Sequence, residues 1–282
     1  MNIHYFCTHW GNQLPFPKFC KNVVNAGYNG VEMDLPLVKK KRNEIVETLA
    51  DHGLLLIGQY WQSLEKDFNL NEKNFTKHLY NLAEASPVMI NTQTGKDYFS
   101  FAQNMQLVKA AKTIAAETGI EIVHETHRGK FLYNLQVFEA AAKAAPDLGI
   151  ALDISHWCTV HESLLQDQQE AVQLALQHAR HIHLRLGFEE GPQINDPRAP
   201  EWKQLLKQYF KWWDVVVAQH KKKEARPYCD PRVWSCALHA IEAIQPEAHF
   251  KTMGYQCFHD GTVQGTLQVA PINEIISMEW AE

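Results

Sequence analysis

The feature that most constrains this chain is a repeated phrase: an amphipathic helix, a glycine, then a short apolar strand. It reads Val23-Val24-Asn25-Ala26-Gly27 before Gly30-Val31-Glu32-Met33, and Leu49-Ala50-Asp51-His52-Gly53 before Leu54 to Ile57. It returns as Ala115-Ala116-Glu117-Thr118-Gly119 before Ile120 to Val123, and as Asp147-Leu148-Gly149 before Ile150-Ala151-Leu152. A glycine just past a helix can take the left-handed conformation that ends the helix at little cost. Strands that are apolar on both faces and alternate with helices indicate a parallel sheet covered by helices.

Strand starts near residues 3, 31, 54, 88, 120, 149 and 181 recur roughly every 30 residues, the size of a strand-helix-strand unit. Between them, Pro17 suits a first helical position, and helical periodicity runs over 38–52, 71–85, 99–118, 132–145, 162–179 and 201–220. Seven units are readable. A length of 282 residues suits an α/β chain folded as one (β/α)8 barrel of about 250 residues. Residues 1–226 form the expected barrel domain. From Pro227 the pattern fails: 227–282 holds three of the six cysteines and no clean strand-helix phrase. That segment is expected to be aberrant, disordered or misfolded, with the eighth unit missing or irregular.

Composition narrows the function classes. A net charge of −5 argues against a general nucleic-acid binder, which carries a basic balance. No apolar run reaches the ~20 residues needed to span a bilayer, and Met1 to Tyr5 lacks the basic start of a signal peptide. Cysteines 7, 20, 158, 229, 236 and 257 make no CxxC pair. They read as reduced thiols of a cytoplasmic protein. Fifteen histidines is a high count.

Three strand ends carry ionisable residues where a parallel barrel keeps its active site, at the C-terminal edge. The fifth ends Val123-His124-Glu125-Thr126-His127-Arg128, the sixth Leu152-Asp153-Ile154-Ser155-His156, and the seventh His181-Ile182-His183-Leu184-Arg185. Alternation puts Glu125 with His127 on one face, and His181, His183 and Arg185 together on another. Two carboxylates and an imidazole on adjacent strands suit a divalent metal with oxygen and nitrogen ligands. Each has a plainer reading. His124 or His181 is expected to be a satisfied core histidine, and Asp153 fits an N-cap. Glu125, after four strand residues, needs a partner if buried.

These stretches, His-Glu-Thr-His-Arg-Gly at 124–129, Asp-Ile-Ser-His at 153–156 and His-Leu-Arg-Leu-Gly at 183–187, resemble the xylose-isomerase-like TIM barrels, the sugar and sugar-phosphate isomerases and epimerases. The loop from Glu190 to Trp202 is similar to one branch of that family. By this resemblance Glu125, Asp153 and His183 are three of four metal ligands, and His156 contacts a substrate oxygen. The implied chemistry is proton transfer beside a carbonyl through an enediolate, with Mn, Mg, Co or Zn as cofactor. Glu125 would be one acid/base, and Arg185, His127 and Arg128 would bind substrate, the arginines holding an oxyanion or phosphate. The implied partner is a small sugar or sugar phosphate, with no nucleic acid or membrane and a possible homo-oligomer. Tyr5, Trp10, Tyr60 and Trp61 are candidates for pocket walls or core.

The family's fourth ligand is a glutamate on strand eight, in a Thr-Pro-Glu-Phe-Gly-Pro-like stretch that this chain lacks. Glu242 and Glu247 end no recognisable strand. Codons permitted for Pro227 onward, read one base later, spell Pro-Thr-Val-Thr-Pro-Glu-Phe-Gly-Pro-Val-Pro-Tyr-Met, with the glutamate from the Arg232 codon. Residues from about 225 therefore look frameshifted relative to the family, which leads to three expectations: open edges on strands one and seven, one carboxylate fewer, and impaired activity. The alternatives are a non-catalytic, degenerate sugar-binding barrel and a zinc-dependent abasic-site endonuclease. The latter calls for more ligands on the early strands and a basic face.

Overall fold

The computed structural model describes residues 3–197, 199–224 and 233–236, with backbone alone for 222–224 and 233–236. Seven strands follow one another in parallel: β1 (Ile3–Thr8), β2 (Gly30–Met33), β3 (Leu55–Tyr60), β4 (Met89–Thr92), β5 (Ile122–Glu125), β6 (Ile150–Leu152) and β7 (Ala179–His183). Four further residues, β8 (Val233–Cys236), pair with both neighbours and close the ring. Ile3 to Phe6 of β1 lie against Val233 to Cys236, and His181 to His183 of β7 against Trp234 to Cys236. The open edges expected on strands one and seven therefore do not occur, because backbone pairing asks only for an extended segment there. The rest of 227–282, with Glu242 and Glu247, lies outside the described residues.

Helices α1 (Phe16–Asn25), α2 (Lys39–Asp51), α3 (Phe68–Ala83), α4 (Phe101–Thr118) and α5 (Leu135–Ala144) fall within a few residues of their sequence-based positions. Pro17 is the second residue of α1, one past the first helical position expected, and α4 begins in a capping box between Ser100 and Gln103. Gly119 ends α4 at φ 71°, the left-handed terminator expected. Gly149 differs. It has no such φ, and a Cβ there would lie 3.3 Å from Val123 Cγ1, so it is small for packing at the start of β6. The sixth connection also differs from the expected 162–179 helix. A short helix α6 (Ile154–Val160) starts at once after β6, and α7 (Gln169–His178) starts late, after left-handed residues at Glu162 and Leu165. Helix α8 (Lys203–Glu224) follows a 3-10 turn at Pro200–Trp202.

Two apolar cores lie between helices and barrel, one around β1–β5 and one around β6 and β7. A third fills the barrel itself: Phe6, Ile57, Met89, Val123 and Ala151. Gly30 is required here, since a Cβ would come within 2.4 Å of the Phe6 ring and 2.5 Å of the Leu55 carbonyl oxygen. Two residues further along each strand the interior turns polar: Thr8, Glu32, Gln59, Asn91, Glu125 and Asp153 are all buried. Period-two alternation sends both residues of each pair inward, so the polar group sits at the C-terminal mouth. No helix among the described residues is long and apolar enough to cross a membrane.

Candidate metal and substrate site

Glu125 ends β5, Asp153 follows β6 and His183 ends β7, and their side chains are 3%, 1% and 1% exposed. His183 Nδ1 lies 3.6 Å from Asp153 Oδ2 and 3.9 Å from Glu125 Oε1. Both distances are too long for a hydrogen bond, and this ring nitrogen is buried without a partner. One donor atom from each of the three residues fits within 4.8 Å of the others. That spacing, and the hard oxygen plus imidazole donor set, suit a divalent cation.

Each of these groups is oriented from outside the trio. Glu125 accepts from Asn91 Nδ2 at 3.1 Å and Gln93 Nε2 at 3.1 Å, both on or just past β4. Asp153 stands at the N-cap position of α6, yet its side chain caps nothing. Instead it accepts from Ser155 Oγ and, at 2.6 Å, from Arg185 Nη2, while its backbone N–H is held by Thr126 Oγ1 at 2.8 Å. Burial opposes its charge, but Arg185, His156 and His183 together hold the Asp153 carboxyl well below the usual range. For His183, burial would lower the pKa, but the Glu32 and Glu125 carboxylates prevail and raise it to about 10.

His156 lies beside the trio, 2% exposed, with Nε2 accepting from Arg185 and its ring centroid 3.9 Å from that of His127. Burial keeps its pKa well below the ordinary value, so it is neutral. His127 lies past the end of β5, half-buried, its Nδ1–H donating to the Arg128 carbonyl at 2.6 Å. It comes near Glu125 and His156 through the loop, and strand alternation does not apply to it. Arg128 is exposed at the rim, and Arg185 is half-buried beneath it. Tyr60 belongs to the core, stacked on His78, while Trp10 and Trp61 are exposed at 61% and 39%.

His124 is a satisfied core histidine: its Nδ1 is 2.7 Å from Thr94 Oγ1, and burial pushes it down to about 4. His181 is different, lying 2.9 Å from Glu32 Oε2 inside the barrel. Glu32 and Asn91 are the residues that sequence reasoning passed over. An acid inside the apolar Gly30-Val31-Glu32-Met33 run gives the same signal that singled out Glu125.

No protein-family model matches the sequence, and no curated protein matches it. Solved structures do. D-psicose 3-epimerase from Clostridium cellulolyticum H10, crystallised with D-tagatose, aligns at TM-score 0.56 and 13% identity over 86% of this chain and 88% of that one. The 3-keto-D-glucoside 4-epimerase YcjR of E. coli aligns at 0.56 and 15%, over 90% and 98%. A xylose isomerase-like TIM barrel protein from Mycobacterium smegmatis, in complex with magnesium, aligns at 0.56 and 13%, over 83% and 89%. The fold is the TIM barrel that these structures share. At these identities the likeness speaks for architecture, and the chemistry has to come from the site.

Proposed function

We propose that this chain is a divalent-metal-dependent isomerase or epimerase of a sugar or sugar phosphate. The observation that carries the reading is the unpartnered Nδ1 of buried His183, flanked by the Asp153 and Glu125 carboxylates at the mouth of a parallel barrel. Structures of similar fold include two sugar epimerases and a magnesium complex, which supports the substrate class and the cation. Glu125, Asp153 and His183 would hold the ion. When bound, it supplies Lewis-acid polarisation of the sugar's carbonyl and hydroxyl oxygens.

The protein's own groups do the remaining work. Glu125, oriented by Asn91 and Gln93, takes or returns the proton at the substrate carbon. Neutral His156 and the Arg185 guanidinium meet substrate oxygens, and Arg128 with His127 at the rim binds an anionic group if the sugar carries one. Strand β8 reads Val-Trp-Ser-Cys and offers no carboxylate. Proton transfer on the opposite face of the substrate therefore lacks a partner there, and turnover is expected to be weak.

The test is metal analysis of the purified full-length chain, followed by assay on a panel of ketoses and their phosphates with Mn²⁺, Mg²⁺, Co²⁺ and Zn²⁺. Glu125→Gln and Asp153→Asn should each abolish metal retention. If metal content is unchanged in both, the site is wrong. Retained metal with no turnover on any sugar would favour the non-catalytic barrel.

A further inference from the structure

We propose that Glu32, on the far side of the barrel from the carboxylate pair, is a positioning residue that aims His183 at the metal by fixing which ring nitrogen carries the proton. This rests on the metal reading above and adds a residue to it.

Glu32 is fully buried, and both of its carboxylate oxygens have polar partners. Its Oε2 accepts from His181 Nε2 at 2.9 Å, and its Oε1 accepts from Asn91 Nδ2 at 2.8 Å and faces His183 Nε2 at 3.4 Å. With both oxygens engaged and no solvent exposure, Glu32 is poorly placed to act as an acid/base. The 2.9 Å separation from His181 is a direct hydrogen bond, which argues against a second ion between them. What the carboxylate can do is accept the Nε2–H of His183. The other nitrogen, Nδ1, has no hydrogen-bond partner, and on losing its proton to a bound cation it would present its lone pair between Asp153 and Glu125. A histidine ligand is commonly held this way, its second nitrogen donating to a carboxylate that fixes the ring and its tautomer.

Asn91 makes the arrangement rigid. Its amide nitrogen lies 2.8 Å from Glu32 Oε1, 3.1 Å from Glu125 Oε2 and 3.3 Å from His183 Nε2. With its two hydrogens given to the two carboxylates, none is left for Nε2, so the positioning carboxylate and the ligand carboxylate hang from one side chain. His181 secures the other oxygen. One residue each from β2, β4 and β7 thus sets the angle of one imidazole.

Two measurements on the full-length chain test this. In the zinc-loaded wild type, long-range 1H–15N spectra should show His183 ligating through Nδ1 with Nε2 protonated. Ligation through Nε2 overturns the proposal without any variant. In Co²⁺ titrations, Glu32→Gln should bind about 10- to 100-fold more weakly, with an altered visible band and native circular dichroism. A glutamine amide can donate to Nε2 and so move the proton to Nδ1. Wild-type affinity and spectrum in Glu32→Gln overturn the proposal, provided that Glu125→Gln abolishes binding. If Glu125→Gln binds Co²⁺ as the wild type does, the metal reading itself fails, and Glu32 has nothing to position.

Discussion

The barrel interior holds two layers built by the same strands and opposite in character. Met89 and Asn91, Val123 and Glu125, Ala151 and Asp153 are each two residues apart, and the first of each pair is apolar while the second is polar. Apolar contacts in the lower layer hold the strands together. In the upper layer three buried acids, Glu32, Glu125 and Asp153, gather around two histidines, an arrangement that favours a bound cation over stability. One pleat separates the part that keeps the fold from the part that does chemistry.

The largest effect should come from breaking the lower layer. Phe6→Ala leaves a cavity beside Gly30, which has no side chain to fill it. The loss should reach about 4 kcal/mol, read as a lower urea midpoint, while the molecules that remain folded still bind metal. A loss under about 1 kcal/mol would mean that the barrel closes differently around Phe6.

Acid should act on the histidines of the two faces of β5 and β7 with opposite sign. His124, facing the helices, falls to about 4 on burial, from 6.5 when unfolded. The unfolded chain therefore binds its proton first, and stability present above pH 6.5 is lost as pH falls toward 4, by about 3 kcal/mol. His183 has its pKa raised to about 10, so in metal-free protein its contribution is full below 6.5 and is lost as pH rises toward 10. Urea midpoints across pH 4–10 should show both limbs. His124→Asn should flatten the acid limb, and an unchanged limb would show that other groups carry it.

Two helix starts sharpen the same division. Ser100 caps α4 through the Gln103 N–H, so Ser100→Ala should cost about 1 kcal/mol in thermal or urea unfolding. Asp153 occupies the equivalent position on α6 without capping it, so any loss in Asp153→Asn comes from its contacts with Ser155, Arg185, His156 and His183. Smallest of all, Glu125→Gln should change metal-free stability by less than about 1 kcal/mol, because it also removes one of three crowded negative charges. A larger loss would place Glu125 among the residues that hold the barrel.

The strands and most helices were readable because their signals are local: alternation, glycine stops and proline starts. The stretches at 124–129, 153–156 and 183–187 drew attention for the same reason, each having its ionisable groups within a few residues. Glu32 carries the same local signal as Glu125, an acid in an apolar run, but its role depends on His181 and His183, 149 and 151 residues away. Strand parity places the one histidine of β5, since an inward Glu125 turns His124 outward. It could not place His127 or Arg185, which lie beyond the strands, nor the break between α6 and α7, although Asp153 fitted the N-cap position that it occupies.

The Glu32–His181 hydrogen bond also bears on how the protein reaches its final state. Its two ends are 149 positions apart, so it cannot form until β2 and β7 have been brought into one ring. Loop closure over that distance is paid for before the contact returns anything, which places site assembly late in folding. The three ligands lie at the ends of adjacent strands, β5 to β7, so weak metal uptake needs only those, whereas full affinity, with Glu32 in place, would report ring closure.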